Sequence, residues 1–398
     1  MSNIKFEPVT TIPASKSIIN RLLTCKSYFP NLVIESSSDC KDVAYLEAAT
    51  ANLNQQTFQV HSGGTTLRFL ALRLSRYPGQ HRIQMSKQLY ERPHEDLNLV
   101  LQQLGVNFAW GINELRISGA SWQLEKAIEV NVNKSSQVLS ALLLNSWLLE
   151  SDIDIYFNGP MISESYFKMT LEILNFLGMQ WENLDGGLRI KAKQQISRFS
   201  ASSEIDMSSA FTLAALATID TGHIIEPFVY PSIQGDADFL AIFEEMGIPF
   251  ALSDWKLTIY PVNQLRPIQC DLKNTPDLFP VLAMLCSMAE GSSTLDGAKH
   301  LAYKESNRIE SMAYLFDSIG IKYDKLADGM RIHGNATYLQ KEFISIDCQN
   351  DHRIAFAAAL AKLRGHNIKI TGKECVEKSF AGFWQQFNGD FCEMDLYP

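Results

Sequence analysis

Apolar residues in this chain fall into blocks whose period changes abruptly at glycine. Four helix-like segments each stop on an apolar residue, a glycine and a second apolar residue: Leu104-Gly105-Val106, Leu177-Gly178-Met179, Met246-Gly247-Ile248 and Ile319-Gly320-Ile321. The glycines lie 73 (105 to 178), 69 (178 to 247) and 73 (247 to 320) residues apart. Ten residues past each glycine comes a strand core: Leu115-Arg116-Ile117, Leu188-Arg189-Ile190, Leu257-Thr258-Ile259 and Met330-Arg331-Ile332. Glycine just beyond a helix supplies the left-handed conformation that closes it. Asp185-Gly186-Gly187 and Asp328-Gly329 are good turn sequences between strands. The predicted unit is therefore helix, glycine stop and hairpin, with a period of about 70 residues, longer than simple solenoid repeats. About six such units would fill the chain, and Phe387-Asn388-Gly389 reads as a degenerate fifth stop.

Several predicted helices open on a polar cluster: Ser62-Gly63-Gly64-Thr65-Thr66, Ser135-Ser136-Gln137, Asp206-Met207-Ser208-Ser209 and Asn350-Asp351-His352-Arg353. Apolar stretches such as Val138 to Leu144 and Ile354 to Leu360 follow, so the helix bodies are expected to be buried and their N-termini polar. Ordinary capping explains any single case. Several such N-termini converging on one cleft would make a strong anion site, because each offers free N–H groups and a positive dipole end.

Composition narrows the picture. At 398 residues the chain is too long for one ordinary core, and 46% hydrophobic with 20% charged residues is globular composition. No apolar run approaches the roughly 20 residues that span a bilayer. Met1 to Pro13 lacks a signal-peptide pattern, so a cytoplasmic location is expected. The seven cysteines (25, 40, 270, 286, 348, 375 and 392) are scattered without a C-x-x-C pair, which points to buried free thiols rather than a disulfide framework or zinc site. The eight histidines include no H-E-x-x-H, and no metal is expected. A net charge of −9 argues against nucleic-acid binding but not against a small anionic ligand, which responds to the local field of a cleft.

The motifs run in order along the chain. Pro13-Ala14-Ser15-Lys16-Ser17 continues to Asn20-Arg21, placing cations near a helix start where they oppose the dipole. Ser62-Gly63-Gly64-Thr65-Thr66-Leu67-Arg68 permits close backbone approach to a ligand but lacks the spacing and lysine of a P-loop. Then come Glu91-Arg92-Pro93, Ser135-Ser136-Gln137, Ser163 with Tyr166, and Ser232-Ile233-Gln234-Gly235-Asp236. Pro276-Asp277, Lys304-Glu305-Ser306-Asn307-Arg308, Asn350-Asp351-His352-Arg353 and Lys378-Ser379-Phe380 complete the series. Taken alone, Asp277 reads as a helix cap after Pro276 and Glu305 as a first-turn acid.

Ten matches in this order, from Pro13 to Phe380, resemble the 5-enolpyruvylshikimate-3-phosphate synthase family. The resemblance implies a two-domain α/β enolpyruvyl-transferase-like fold, an inside-out α/β barrel built from six βαβαββ-type repeats. The domains are expected at 16–205 and at 1–15 plus 206–398, with the active site in the interdomain cleft and closure around the first substrate. It implies transfer of the enolpyruvyl group of phosphoenolpyruvate to the 5-hydroxyl of shikimate 3-phosphate by addition and elimination. No cofactor, nucleic-acid or membrane partner is implied, and a monomer is the default expectation.

The resemblance also assigns roles. Lys16, Gly64, Arg92, Gln137, Arg308, Arg353 and Lys378 match phosphoenolpyruvate positions, where arginine forks grip carboxylate and phosphate. Ser17, Arg21, Ser135, Ser136, Ser163, Tyr166 and Lys304 match shikimate 3-phosphate positions. Asp277 is assigned as base for the 5-hydroxyl and Glu305 as acid for the methylene carbon, with Lys16 assisting. Glyphosate competes at the phosphoenolpyruvate site in this family, so Gly64 is expected to line an inhibitor site as well.

The chain departs from the family pattern at Ala14, Glu164-Ser165, Ala302 and Asn307, and His300 stands where some members have a substrate-contacting asparagine. The sister enzymes using UDP-N-acetylglucosamine usually carry K-N in place of Lys16-Ser17 and lack this S-S-Q and K-E-S-x-R combination. A noncatalytic relative would be expected to lose Asp277, Glu305 or Lys378, and all three are present.

Overall fold

A computed structural model describes residues 11–387 apart from position 336. Asn388 and Gly389 of the degenerate repeat, and Cys392, lie outside the described residues. The chain divides into two compact units, Ala14–Ser203 and Met1–Pro13 with Glu204–Pro398.

Three stretches carry the complete βαβαββ order. In the first, strand Thr57–His61 leads through helix Gly64–Ser75 to strand Gly79–Met85, then through helix Glu95–Gln103 to the hairpin Asn107–Gly111 and Glu114–Gly119. The same order recurs from Ile128 to Ile190 and from Gln269 to Gly334. In each four-stranded sheet the first two strands pair in parallel, and the last strand lies between the second and its hairpin partner. Strands His223–Ile225, Phe250–Ser253 and Lys256–Ile259 make a three-stranded sheet, Ile344–Asp347 pairs in parallel with Ile368–Thr371, and Val33–Ile34 pairs in parallel with Ser200–Ala201. Each unit thus holds three sheets, and no sheet closes on itself among the described residues.

The glycine stops fall where local chemistry requires them. Gly178, Gly247 and Gly320 end helices Glu164–Leu177, Phe239–Met246 and Arg308–Ile319 with φ of 100°, 75° and 76°. Gly105 (φ 69°) follows one residue after the cap of its helix. Past each stop the strand core alternates as a half-buried strand must: Leu115 and Ile117, Leu188 and Ile190, Leu257 and Ile259, and Met330 and Ile332 are buried. Gly329 is held by a close approach, since a Cβ there would sit 1.9 Å from the Leu295 carbonyl oxygen.

Two kinds of helix separate the layers. Helix Glu164–Leu177 buries Phe167, Thr170, Ile173, Leu174 and Leu177 at three- and four-residue spacing, so it covers a core with one face. Helix Met207–Ile219, by contrast, buries every residue from Met207 to Thr218, and Phe279–Ser287 is buried throughout. A helix apolar on all sides needs neighbours on all sides. Helices Met207–Ile219, Phe279–Ser287 and His352–Arg364 pack on one another at the centre of one unit, as Lys16–Lys26, Gly64–Ser75 and Gln137–Leu144 do in the other. The alanines of Ala355-Phe356-Ala357-Ala358-Ala359 allow that close approach. Burying each Leu or Phe of these cores stabilises by roughly 1.5–3 kcal/mol. The central helices are therefore fixed by their bodies, and their N-termini carry the polar motifs.

Candidate active site

In the Ala14–Ser203 unit the central helices bring their first turns together. Lys16 opens helix Lys16–Lys26, and its Nζ lies 3.2 Å from Asp42 Oδ2. Asp42 sits in the first turn of helix Lys41–Ala51, and its backbone oxygen accepts from Thr66 Oγ1 at 3.2 Å. Gly64 opens the next central helix, and a Cβ there would lie 3.0 Å from Arg68 Nη1 and 3.1 Å from Arg92 Nη1. Two guanidinium groups therefore face one glycine. Arg68 is buried and donates to the Gly64 carbonyl at 2.9 Å. Burial, and then the like charge of Arg92, push the Arg68 pKa down to about 9. His94 stacks on Trp110 with ring centroids 4.5 Å apart, and burial followed by the charge of Arg68 lowers its pKa to about 4, so it is neutral. The local field is positive although the whole chain is acidic.

The other sequence-predicted residues of this unit are also brought together. Gln137 Nε2 donates to Thr65 Oγ1 at 3.3 Å, and Ser135 Oγ accepts from the Gln137 amide at 3.2 Å. Ser136 Oγ donates to the Ser163 carbonyl at 2.9 Å, and Ser163 is held in the left-handed region at φ 57°. Arg21 is buried and donates to Thr170 Oγ1, the Ser17 carbonyl and the Tyr166 carbonyl at 2.8, 2.8 and 2.9 Å. Burial lowers its pKa to about 10, well above neutrality. Arg21 thus ties the Lys16 helix to helix Glu164–Leu177 and fixes Ser17 and Tyr166 relative to each other.

In the other unit a single arginine organises the site. Arg308, 1% exposed, donates from Nη1 to Asp277 Oδ1 at 2.8 Å, from Nη2 to Glu305 Oε2 at 3.0 Å and from Nε to Asp351 Oδ2 at 3.0 Å. Burial works against its charge, but Asp351, Asp277 and Glu305 together raise its pKa. Asp277 lies in the short 3-10 turn Pro276–Leu278 and also meets Lys304 Nζ at 3.3 Å and Arg353 Nη2 at 3.4 Å. Burial pushes the Asp277 carboxyl up, and Lys304, Arg308 and Arg353 more than offset it, holding its pKa well below the ordinary value. Glu305 Oε1 accepts from Lys378 Nζ at 2.6 Å. Four cations thus interlock with three carboxylates.

Local sequence explains how the network is held. Asp351 is fully buried, caps helix His352–Arg364 by accepting from the Arg353 amide at 2.9 Å, and also accepts from Ser306 Oγ at 3.0 Å. Asn307 caps helix Arg308–Ile319 by accepting from the Glu310 amide, the task an aspartate would perform there. Asp206 accepts from Ser208 Oγ at 2.7 Å, and Ser208 Oγ in turn accepts from Arg353 Nη2. His300 is 5% exposed, neither ring nitrogen has a hydrogen-bond partner among the described residues, and burial plus the charge of Lys304 lowers its pKa to about 3. His352 is buried, its ring nearly perpendicular to that of Phe356 with centroids 5.7 Å apart. Burial, then the charge of Asp277, raise the Asp236 carboxyl to about 7.

Asp42, Arg68, Ser208 and Asp351 belong to these clusters, yet sequence reading gave them no role. Arg68, Ser208 and Asp351 stand inside quoted motifs, so position in a motif could have flagged them. Asp42 carries no such signal, since a first-turn acid is ordinary. Among the described residues no group of three or more His, Cys, Asp or Glu could hold a metal ion, and no helix is long and apolar enough to cross a membrane.

A sequence model described as EPSP synthase (3-phosphoshikimate 1-carboxyvinyltransferase) matches residues 11–387. A 3-phosphoshikimate 1-carboxyvinyltransferase of Syntrophobacter fumaroxidans is 31% identical over 332 residues, covering 82% of this chain and 78% of the relative. One from Trichormus variabilis is 26% identical and covers 97% of this chain and 96% of the relative. Among solved structures, EPSP synthase of Acinetobacter baumannii superposes with a TM-score of 0.72 at 21% identity, over 97% of this chain and 96% of that one. The enolpyruvyl transferase NikO of Streptomyces tendae gives 0.72 at 14% identity, over 96% of this chain and 94% of that one. The structural likeness establishes the fold alone and does not separate the two activities; the sequence matches do.

Proposed function

We propose that this chain, which belongs to the EPSP synthase family, transfers the enolpyruvyl group of phosphoenolpyruvate to the 5-hydroxyl of shikimate 3-phosphate and releases phosphate. The observation that carries the reading is the Arg308 hub, which holds Asp277 and Glu305 on adjacent nitrogens of one guanidinium at 2.8 and 3.0 Å. A reaction that must take a proton from a hydroxyl and give one to a methylene carbon needs two carboxylates so placed.

In the addition step the 5-hydroxyl oxygen bonds to C2 of phosphoenolpyruvate, its proton passes to Asp277, and Glu305 delivers a proton to C3. In the elimination step a C3 proton returns to Glu305 and the C2–O bond to phosphate breaks, the departing phosphate taking the proton held by Asp277, which restores the vinyl group and the Asp277 carboxylate. Asp277 suits the first task because its cation partners keep it ionised at neutral pH. Those partners also weaken it as a base. An incoming carboxylate and phosphate compete for Lys304, Arg308 and Arg353, and each cation drawn away raises the basicity of Asp277. Lys378, bonded to Glu305, and Lys16, bonded to Asp42, supply further charge for the anions.

Lys16, Gly64, Arg92 and Gln137 belong to one unit and Asp277, Glu305, Arg308, Arg353 and Lys378 to the other. We propose that both sets act on one pair of substrates, with Ser17, Arg21, Ser135, Ser136, Ser163, Tyr166 and Lys304 serving shikimate 3-phosphate. Phosphate release from phosphoenolpyruvate should require shikimate 3-phosphate and fall about 100- to 10,000-fold in Asp277→Ala. Release without the acceptor, or an Asp277→Ala enzyme of undiminished rate, would overturn the assignment.

A further inference from the structure

Two cysteines with no part in the proposed reaction each stand three residues before a member of the ionic network, Cys348 before Asp351 and Cys375 before Lys378. Strand Ile344–Asp347 pairs in parallel with Ile368–Thr371, the last register pair being Asp347 with Thr371. The next residue, Cys348, donates its amide to the Thr371 carbonyl at 3.1 Å, so the chain at 348 runs beside the chain at 372. A Cβ on Gly372 would lie 4.0 Å from the Cys348 Cβ. Gly372 starts the 3-10 turn Lys373–Lys378, and the Cys375 amide donates to its carbonyl at 3.3 Å. Residues three apart eclipse in such a turn, which returns Cys375 over Gly372 and toward Cys348. The neighbouring Cys348 thiol is the strongest influence on the Cys375 thiol and pushes its pKa up. Both are free thiols; Cys348 is buried and Cys375 partly exposed.

We propose that Cys348 and Cys375 are a reversible oxidation site, closing to a disulfide by exchange with a low-molecular-weight disulfide. One thiolate attacks the small disulfide and expels a thiolate, giving a mixed disulfide. The second thiol then attacks the cysteine sulfur of that bond and expels the other. The protein loses two electrons and two protons, and the small disulfide leaves as two thiols. The Cys375 thiol is held protonated by the neighbouring Cys348 thiol and by burial, so the exchange is slow at neutral pH.

Position gives the bond a consequence. The Cys348 carbonyl accepts from the Asp351 amide at 2.9 Å, and Asp351 anchors Arg308 and Arg353. Lys378, which meets Glu305, lies one 3-10 turn beyond Cys375. Drawing the two sulfurs together to about 2.05 Å moves both turns at once. A misplacement of about 1 Å in a catalytic constellation can cost on the order of 100-fold. The effect on phosphoenolpyruvate rests on the function proposed above; the bond itself does not.

The test is long incubation of the purified full chain with oxidised glutathione, followed by peptide mapping and phosphate-release assays, with Cys375→Ser in parallel. The expected result is a peptide linking Cys348 to Cys375, two hydrogen masses lighter than its halves. Activity should fall by at least about tenfold and return on reduction with dithiothreitol. Cys375→Ser should match the reduced wild type and resist the oxidant. No linked peptide, a glutathione adduct that stops at Cys375, or equal loss of activity in Cys375→Ser would overturn the proposal. A linked peptide in a protein that never turns over phosphoenolpyruvate would support the oxidation site and count against the function.

Discussion

Gly64→Ala isolates ligand binding from folding. Gly64 is the first residue of its helix and has no positive φ, so alanine is compatible with the backbone and improves helix propensity. The new methyl would meet Arg68 Nη1 at 3.0 Å and Arg92 Nη1 at 3.1 Å, the far ends of flexible side chains, which must give by a few tenths of an ångström. Arg68 is buried and tethered to the Gly64 and Pro93 carbonyls, so Arg92, more exposed, yields more easily. A hydrogen bond to a charged group is worth roughly 1.5–3 kcal/mol, and weakening one without breaking it costs about 1–2 kcal/mol. That corresponds to a KM for phosphoenolpyruvate raised about 5- to 30-fold. Glyphosate inhibition should weaken alongside, while the KM for shikimate 3-phosphate and the melting temperature stay near wild type. The assay is phosphate release at varied phosphoenolpyruvate with saturating acceptor. Unchanged KM and unchanged inhibition in a folded variant would show that Gly64 and Arg92 do not line the phosphoenolpyruvate site.

Three further outcomes follow from the same geometry. Arg21→Lys should destabilise the Ala14–Ser203 unit by on the order of 2–4 kcal/mol in urea melts, because lysine cannot reproduce three divergent bonds from a planar fork; an unchanged midpoint would refute this. Glu305→Gln keeps an acceptor for Arg308 but removes the titratable group, so kcat should drop about 100- to 10,000-fold with the fold intact; a drop under about tenfold would remove Glu305 from the proton path. Asp236 has a folded-state pKa of about 7 against an ordinary 3.8, so its contribution to stability is fully present below about pH 4 and is lost as pH rises through 7. The ceiling is about 4 kcal/mol at about 1.36 kcal/mol per pH unit. Melts of Asp236→Asn should lack this decline relative to wild type, and parallel stability–pH curves would contradict the raised pKa.

What could be read from the sequence was what local chemistry fixes. The four glycine stops and the strand cores ten residues later were legible because a left-handed C′ position and a two-residue alternation are properties of a few neighbouring residues. The buried central helices were legible for the same reason, since Val138 to Leu144 and Ile354 to Leu360 offer no polar face. The short long-range strand pairs were not. Strands Val33–Ile34 and Ser200–Ala201 are two residues long and pair across more than 160 positions, leaving no period to detect. In the site, residue types were legible and partnerships were not. Arg308 could be placed among the cations, but its hold on Asp277, Glu305 and Asp351 depends on three segments meeting in space. Arg21 likewise could be matched to a shikimate 3-phosphate position, but its bonds to Thr170, Ser17 and Tyr166 could not be read.

The second unit's network shows why its charges must be so numerous. A buried arginine without partners would be strongly destabilising, and a buried carboxylate without partners would take up a proton instead of serving as a base. Arg308 and Asp277 each meet the other's need, and Asp351, fully buried, has its oxygens satisfied because Arg308, Ser306 and the Arg353 amide all donate to it. Yet a network balanced perfectly would have no attraction left for an anion. Four cations interlock with Asp277, Glu305 and Asp351 here, and a further nearby acid, Asp236, has its pKa raised to about 7, so that below this pH it is largely uncharged. Ionising Asp236 would add negative charge beside Asp277, and its burial there is what delays that ionisation. With three cation partners on Asp277, one can be offered to a substrate phosphate or carboxylate without stripping the base of every partner. Fold and chemistry thus draw on the same bonds. The interactions that make a buried ionic cluster tolerable hold Asp277 and Glu305 in place, and their partial exchange for substrate anions tunes the base at the moment it is needed.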